Sequence, residues 1–360
     1  MLLRFGEMTD LTETDKPIEL THRERAILRS IVYNYILTAN PVGSRVLAKR
    51  FHLDLSPASI RNTMADLEEQ GLLSHPHTSA GRVPTDLGYR IYVDGLMEVE
   101  DISEEVRKAI KERVDAYSNE VHALLDQVGE IIAEVTRLLT VITAPNITMG
   151  ELHKIELIKV AAGRIMVVIV VSSGLVKTIN LELKSDITDQ EIADAQQLVN
   201  QRLVGLKLAD IPSQMKKRLT GENCVRNAIV RLFLDLPDRV FTEESRADIH
   251  IGGTRSVLDQ PEYNSPDKLK GIIELIDNRD VIVHLLKERA PGVSVTIGRE
   301  NRGEQFQDFS VITSTYRMGE IFGTLGIIGP TRMHYSRLVS LVDYTSRLIS
   351  ELLLERASQA

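Results

Sequence analysis

Between Thr21 and Pro84, helix start and stop signals follow one another so closely that only three short helices and a hairpin fit. Thr21 stands three residues before Glu24, the spacing of a capping box that satisfies two backbone donors at a helix start. Ile27, Leu28, Ile31, Tyr35 and Ile36 then recur at helical spacing. Asn40-Pro41 must end that helix, because proline disfavours a helical residue before it. Ser44 is expected to cap a second helix through Phe51, and Ser56 a third that opens with Pro57 and stops at Gly71. Leu72 to His75 and Arg82 to Thr85 read as two strands joined through the small, polar segment 77–81.

The third helix carries chemistry. Ile60, Met64 and Leu67 share one face and should pack inward, which leaves Ser59, Arg61 and Asn62 on the other side near the helix start. Arg can make two hydrogen bonds to guanine and Asn two to adenine in the major groove, while free N–H groups at a helix start favour phosphate. A solvated face in an all-helical bundle would read the same way from this helix alone. The hairpin that follows decides between them, since three helices and then a hairpin is the winged helix-turn-helix order. The expected DNA-contacting set is Arg45, Arg50, Ser56, Ser59, Arg61, Asn62, Ser79, Gly81 and Arg82. Ser59, Arg61 and Asn62 would read bases; Arg45, Arg50, Ser79 and Arg82 would mainly fix register on the phosphates. His75 and His77 lack further nearby ligands, so no metal site is expected.

Charge alone does not point to DNA. The chain carries a net charge of −8, and residues 20–97 hold nine basic against seven acidic side chains. Phosphate neutralisation needs Lys and Arg, so affinity has to come from a focused patch and from a second copy of the module.

Residues 101–142 read as helical throughout, with Val114, Val121, Leu124, Val128, Ile131, Val135, Leu138 and Ile142 among heptad-spaced apolar positions. Such a seam serves either a twin helix in a dimer or packing on the chain's own sheet. Beyond Pro145, 152–160, 164–171 and 176–183 read as strands, and the unbroken apolar run from Ile165 to Val171 describes a strand covered on both faces. Strands return at 293–297, 309–315 and 322–328, with a candidate at 248–251 and a last amphipathic helix at 336–356. Two strand clusters separated by helices imply one α+β sheet domain split by an insertion. Cys224 is the single cysteine and cannot form an intramolecular disulfide; it reads as a small buried hydrophobe. The N-terminus has no signal-peptide pattern, and the longest apolar run falls far short of the ~20 residues of a spanning helix, so a soluble, cytoplasmic protein with no membrane contact is expected. Gly323, Gly326 and Gly329 match neither a dinucleotide fingerprint nor a P-loop, and no catalytic constellation stands out; neither an enzyme nor a cofactor is expected.

The runs Pro41 to Ser44, Ser56 to Asn62, Thr78 to Thr85 and Gly88 to Asp94 resemble the heat-inducible transcription repressor HrcA family, as do Gly298 to Asn301, Phe309 to Val311 and Gly326 to Pro330. Residues 1–18 have no sustained periodicity and read as a flexible extension outside the resemblance. The resemblance implies an α+β multidomain chain: a winged helix-turn-helix (19–97) and a GAF-like α/β sheet domain in two parts (98–185 and 266–360). A mostly helical dimerisation domain (186–265) would interrupt that sheet domain, and the 101–142 seam would pack on the chain's own sheet. It further implies a homodimer on double-stranded DNA at the inverted-repeat operator called CIRCE, upstream of chaperone genes, and dependence on the GroE chaperonin that heat removes. A metabolite-sensing winged-helix regulator, with a ligand in the GAF-like domain, is the alternative.

Overall fold

The computed structural model describes residues 18–51, 54–76, 81–115, 121–183, 186–221, 227–242, 249–286, 292–301 and 303–357. Ser79, His77, Cys224 and residues 1–17 of the expected extension lie outside the described residues. The chain divides into two compact units: 1–143 with 249–315 and 324–348, and 144–248 with 316–323 and 349–360.

In the first unit, α1 (His22–Thr38) starts from the Thr21–Glu24 capping box and ends at Ala39, whose φ of 54° stops the helix before Pro41. α2 (Ser44–Arg50) begins one residue earlier than a Ser44 cap requires: Gly43 is the cap and Ser44 is helical and buried. α3 (Pro57–Glu69) opens as its sequence dictates, with the Ser56 hydroxyl accepting from the Ser59 N–H at 3.1 Å. β1 (Leu73–Ser74) and β2 (Val83–Pro84) pair antiparallel, and α4 (Asp86–Ile91) follows with Thr85 as its cap. Gly88 lets α4 lie against the chain leaving α3: a Cβ there would meet the Leu72 carbonyl oxygen at 2.2 Å.

Segment 101–142 is not helical throughout. α5 (Glu104–Asp115) and α6 (Val121–Thr136) are followed at Arg137, φ 55°, by β3 (Leu139–Thr143). The β-branched run Thr140-Val141-Ile142 favours a strand, and the strand's neighbours in space complete the switch. Thr140 to Thr143 pair with β7 (Ile249–Gly252) on one side, and Leu139 to Ile142 pair with a C-terminal strand on the other.

The chain then builds the second unit. β4 (Leu152–Ala161), β5 (Arg164–Val171) and β6 (Val176–Glu182) form an antiparallel three-stranded sheet of their own. α7 (Asp189–Leu203), α8 (Ile211–Arg218), α9 (Ala228–Asp235) and α10 (Pro237–Phe241) cover one face. Ile155, Ile165, Val167, Ile169, Val199, Met215 and Phe233 belong to one core there. The free edge of β4 is closed by side chains of α7. Asn200 both accepts from the Ile155 N–H and donates to its carbonyl, each at 2.8 Å, and Gln196 accepts from the Leu157 N–H at 2.8 Å.

β7, α11 (Pro266–Asp277), α12 (Arg279–Leu286), β8 (Ser294–Ile297), β9 (Phe309–Met318), β10 (Ile321–Pro330) and α13 (Tyr335–Ala357) follow, in the first unit except for 316–323 and the end of α13 from 349. The sheet order is β7-β3-β10-β9-β8. Leu139, Val141, Phe309 and Val311 pack against Ile272, Leu275, Ile282 and Leu286 of α11 and α12. The opposite face meets α6 and α13, where Ser314 bonds Ser346 at 2.9 Å and Ser310 bonds the Tyr335 hydroxyl at 2.8 Å. Two expectations are thereby corrected. Strands 152–182 do not share a sheet with the C-terminal strands, and the interruption of the larger sheet unit runs over 144–248 rather than 186–265. Strand propensity is local, whereas the partners of β3, in β7 and β10, lie more than a hundred positions away.

Arg90 ties α4 to the strand end at 295–300. Its guanidinium donates to the Val295 carbonyl and to Glu300, both at 2.7 Å, and to Asp94 at 3.0 Å. Glu300 also accepts from the Ile297 N–H, and Asp86 accepts from the Arg299 N–H at 3.1 Å. Nearby, Arg332 donates to Glu262 and to the Ile36 carbonyl at the end of α1. Among the described residues, no helix is long and apolar enough to cross a membrane.

Two substitutions test these supports. Arg90→Ala should cost about 2–3 kcal/mol in denaturant unfolding, short of a fully buried pair because Glu300 and Asp94 keep water contact. Arg90→Lys should recover only part, since one ammonium cannot reproduce the guanidinium fork. Asn200→Leu strands two backbone groups of β4 and should cost ~1–3 kcal/mol by the same measurement. A loss under 0.5 kcal/mol in either would mean that water replaces the side chain.

Candidate nucleic-acid interface

α3 is built as a helix with one committed face. Ile60, Thr63, Met64 and Leu67 are buried, and Val32 and Leu28 of α1 and Leu47 of α2 are buried in the same unit. Arg61 and Asn62, in the second turn, are exposed. Ser59 is half-buried, and its carbonyl accepts from the Thr63 hydroxyl at 3.3 Å. Ser56 is exposed but already occupied as the cap.

On α2, Arg45, Lys49 and Arg50 are all exposed. None of these three, nor Arg61, forms an ion pair among the described residues. Lys49 was missed in the sequence, although its position one turn beyond Arg45 on a short helix was the available signal. The structure therefore brings four unneutralised cations onto two neighbouring helices.

The hairpin is anchored to the loop ahead of α2. Val42 and Arg82 exchange both backbone hydrogen bonds, each at 2.9 Å. Gly81 makes this approach possible, since a Cβ there would lie 2.5 Å from the Val42 carbonyl carbon and oxygen. Gly81 thus has a structural duty beyond offering an N–H.

Arg82 is placed differently from the other cations. Its guanidinium pairs with Glu68 near the end of α3 at 2.6 Å, and the side chain is only 25% exposed. Its Nε is buried with no hydrogen-bond partner. Glu68 also bonds the His75 ring, on the strand side of the hairpin. Burial acts to raise the Glu68 carboxyl, but the His75 hydrogen bond and the Arg82 charge outweigh it and hold it below the ordinary carboxylate range. Neither Glu68 nor this use of His75 could be read from spacing, because the three residues meet only once the hairpin folds back on α3.

Proteins of known description are similar to this chain over nearly its full length. Residues 122–339 match the family model described as the HrcA protein C-terminal domain. A protein of Chlorobium luteolum named heat-inducible transcription repressor HrcA is 36% identical over 341 residues, covering 91% of this chain and 95% of that one. One of Geobacter sulfurreducens with the same name is 35% identical over 338 residues, covering 93% and 98%. A solved structure described as a hypothetical protein shares the fold, with a TM-score of 0.57 at 23% identity over 94% of this chain and 100% of that one. The chain belongs to the heat-inducible transcription repressor HrcA family, a family of transcription repressors and not of enzymes.

Proposed function

We propose that this chain is a cytoplasmic, DNA-binding repressor of heat-inducible chaperone genes. Residues 19–97 act as a winged helix-turn-helix, with α3 in the major groove and the β1–β2 hairpin as the wing. The observation that carries this reading is the exposure of Arg61 and Asn62 on the early turns of a helix whose opposite face is fully buried. Arg61, Asn62 and Ser59 read base edges. Arg45, Lys49 and Arg50 hold the phosphates, with Ser56 and the Gly81 N–H at the rim of the same surface and Ser79 as a further phosphate contact. The five-stranded unit serves as the GAF-like domain. The operator is the CIRCE inverted repeat that the family resemblance implies. The GroE chaperonin maintains the active fold until heat diverts it.

The inserted unit, on this reading, makes the homodimer. In β5, Ile165, Val167, Ile169 and Val171 are buried under the helices, whereas Met166, Val168 and Val170 face the other way and are half-exposed. Val170 pairs with Val176 of β6, which is 55% exposed, and Met166 pairs with Ile158 of β4, 42% exposed. A strand apolar on both faces has one face covered within its own unit; a second copy supplies the cover for the other. Two-fold symmetry in the protein then matches two-fold symmetry in the operator.

A gel-shift titration of wild type and Arg61→Ala against a CIRCE duplex and a scrambled one, with and without chaperonin, tests the function. The expected result is selective binding strengthened by chaperonin, and a loss of ~1–3 kcal/mol with relaxed preference in the variant. A folded wild-type protein that binds both duplexes alike would sink the operator assignment. For the dimer, Val168→Glu should convert the protein to a monomer in light scattering and weaken operator binding at least tenfold. A dimer undisturbed by that charge would place the two-fold axis elsewhere.

A further inference from the structure

Arg82 sits at the base of the wing, where a free guanidinium would meet the DNA backbone. Instead, its charge is cancelled by Glu68 at 2.6 Å, and the same carboxylate holds the His75 ring. Glu68 belongs to α3, Arg82 to the chain entering β2, and His75 to the chain leaving β1. One carboxylate thus fastens both arms of the hairpin to the helix that carries Arg61 and Asn62. The cations of α2 and the start of α3 have no such partner among the described residues.

We propose that Glu68 is a specificity-determining positioning residue that withholds Arg82 from phosphate. This rests on the DNA-binding reading above. Phosphate contacts raise affinity for every sequence alike, whereas base contacts from Arg61 and Asn62 raise it for one. A wing arginine free to reach the backbone would add an indiscriminate contact next to the reading helix. Paired with Glu68, it contributes to hairpin position and leaves discrimination to α3. Of the nine basic residues of the module, one at the wing is thereby internally neutralised.

The test uses the full chain and compares a CIRCE duplex with a scrambled one across a series of salt concentrations. Glu68→Gln removes the carboxylate charge while keeping the side-chain shape. The expected result is a ~3–10-fold gain in affinity for the scrambled duplex, the net scale of one solvent-exposed hydrogen bond. The salt slope on that duplex should steepen by about 0.9, one added phosphate contact, and the operator preference should fall. Adding Arg82→Gln should return the scrambled-duplex affinity and slope to wild type, which a purely structural role of Glu68 would not produce. An unchanged slope in a folded Glu68→Gln protein, or a gain that survives in the double variant, would overturn the proposal. Should Glu68→Gln fail to fold, Arg82→Gln alone decides it: a slope equal to wild type is expected, and a slope shallower by about 0.9 overturns it. Absence of binding by the wild-type chain to either duplex would overturn the DNA-binding reading itself, a result distinct from altered slopes.

Discussion

The three-way contact of Arg90 with Glu300, Asp94 and the Val295 carbonyl fixes where the N-terminal helices stand. α4 carries Arg90, and α4 is also where Gly88 presses against Leu72, so the end of α3 and the hairpin are located by the same short helix. Arg332 makes a parallel tie, from Glu262 to the last turn of α1. Tyr89 and Tyr335 fill the space between, with ring centres 5.9 Å apart and both rings buried. The helices that present Arg61 are therefore packed within one compact unit with the five-stranded sheet. Anything that loosened the sheet would be felt at these guanidinium contacts, because Arg90–Glu300 spans 210 residues of sequence and Arg332–Ile36 spans 296.

That length of separation also explains what the sequence could and could not tell. Thr21, Ser56, Pro57 and Gly71 act on their immediate neighbours, so the three helices and the hairpin were legible to within a residue or two. Ser44 was misplaced by one position, since Gly43 and Ser44 offer competing caps and only the burial of Ser44 decides between them. Leu139 to Thr143 was misread as helix because Leu138 and Ile142 continue the spacing of the preceding apolar seam. Its β-branched residues were the counter-signal, and pairing with β7 and β10 made the strand prevail. Each strand of the second unit was found near its true bounds, but its sheet was assigned wrongly. Alternation along a strand records which faces are buried and says nothing about which strand lies alongside.

The candidate interface divides in the same way. Arg61 and Asn62 follow from helical period once Ile60, Met64 and Leu67 are assigned to the core. Arg82 could be placed at the wing from its position after Gly81, but its engagement with Glu68 and His75 depends on the hairpin's path. Residue type and spacing reveal which side chains could meet DNA. The fold reveals which of them already have a partner.

These two facts bear together on how a chain of net charge −8 would act on DNA. With Arg82 neutralised, the exposed cations of α2 and α3 among the described residues reduce to Arg45, Lys49, Arg50 and Arg61, a small patch for holding a duplex through phosphates alone. A second copy doubles the patch without raising the affinity of either half for random sequence, and links the halves at a fixed spacing. The half-exposed face of Met166, Val168 and Val170 offers the apolar surface on which such a pair could close. Selectivity for an inverted repeat would then come from geometry, with weak attraction at each half and both halves required. An assembly of that kind is sensitive to its own folding, because losing one copy's sheet removes the partner's grip as well.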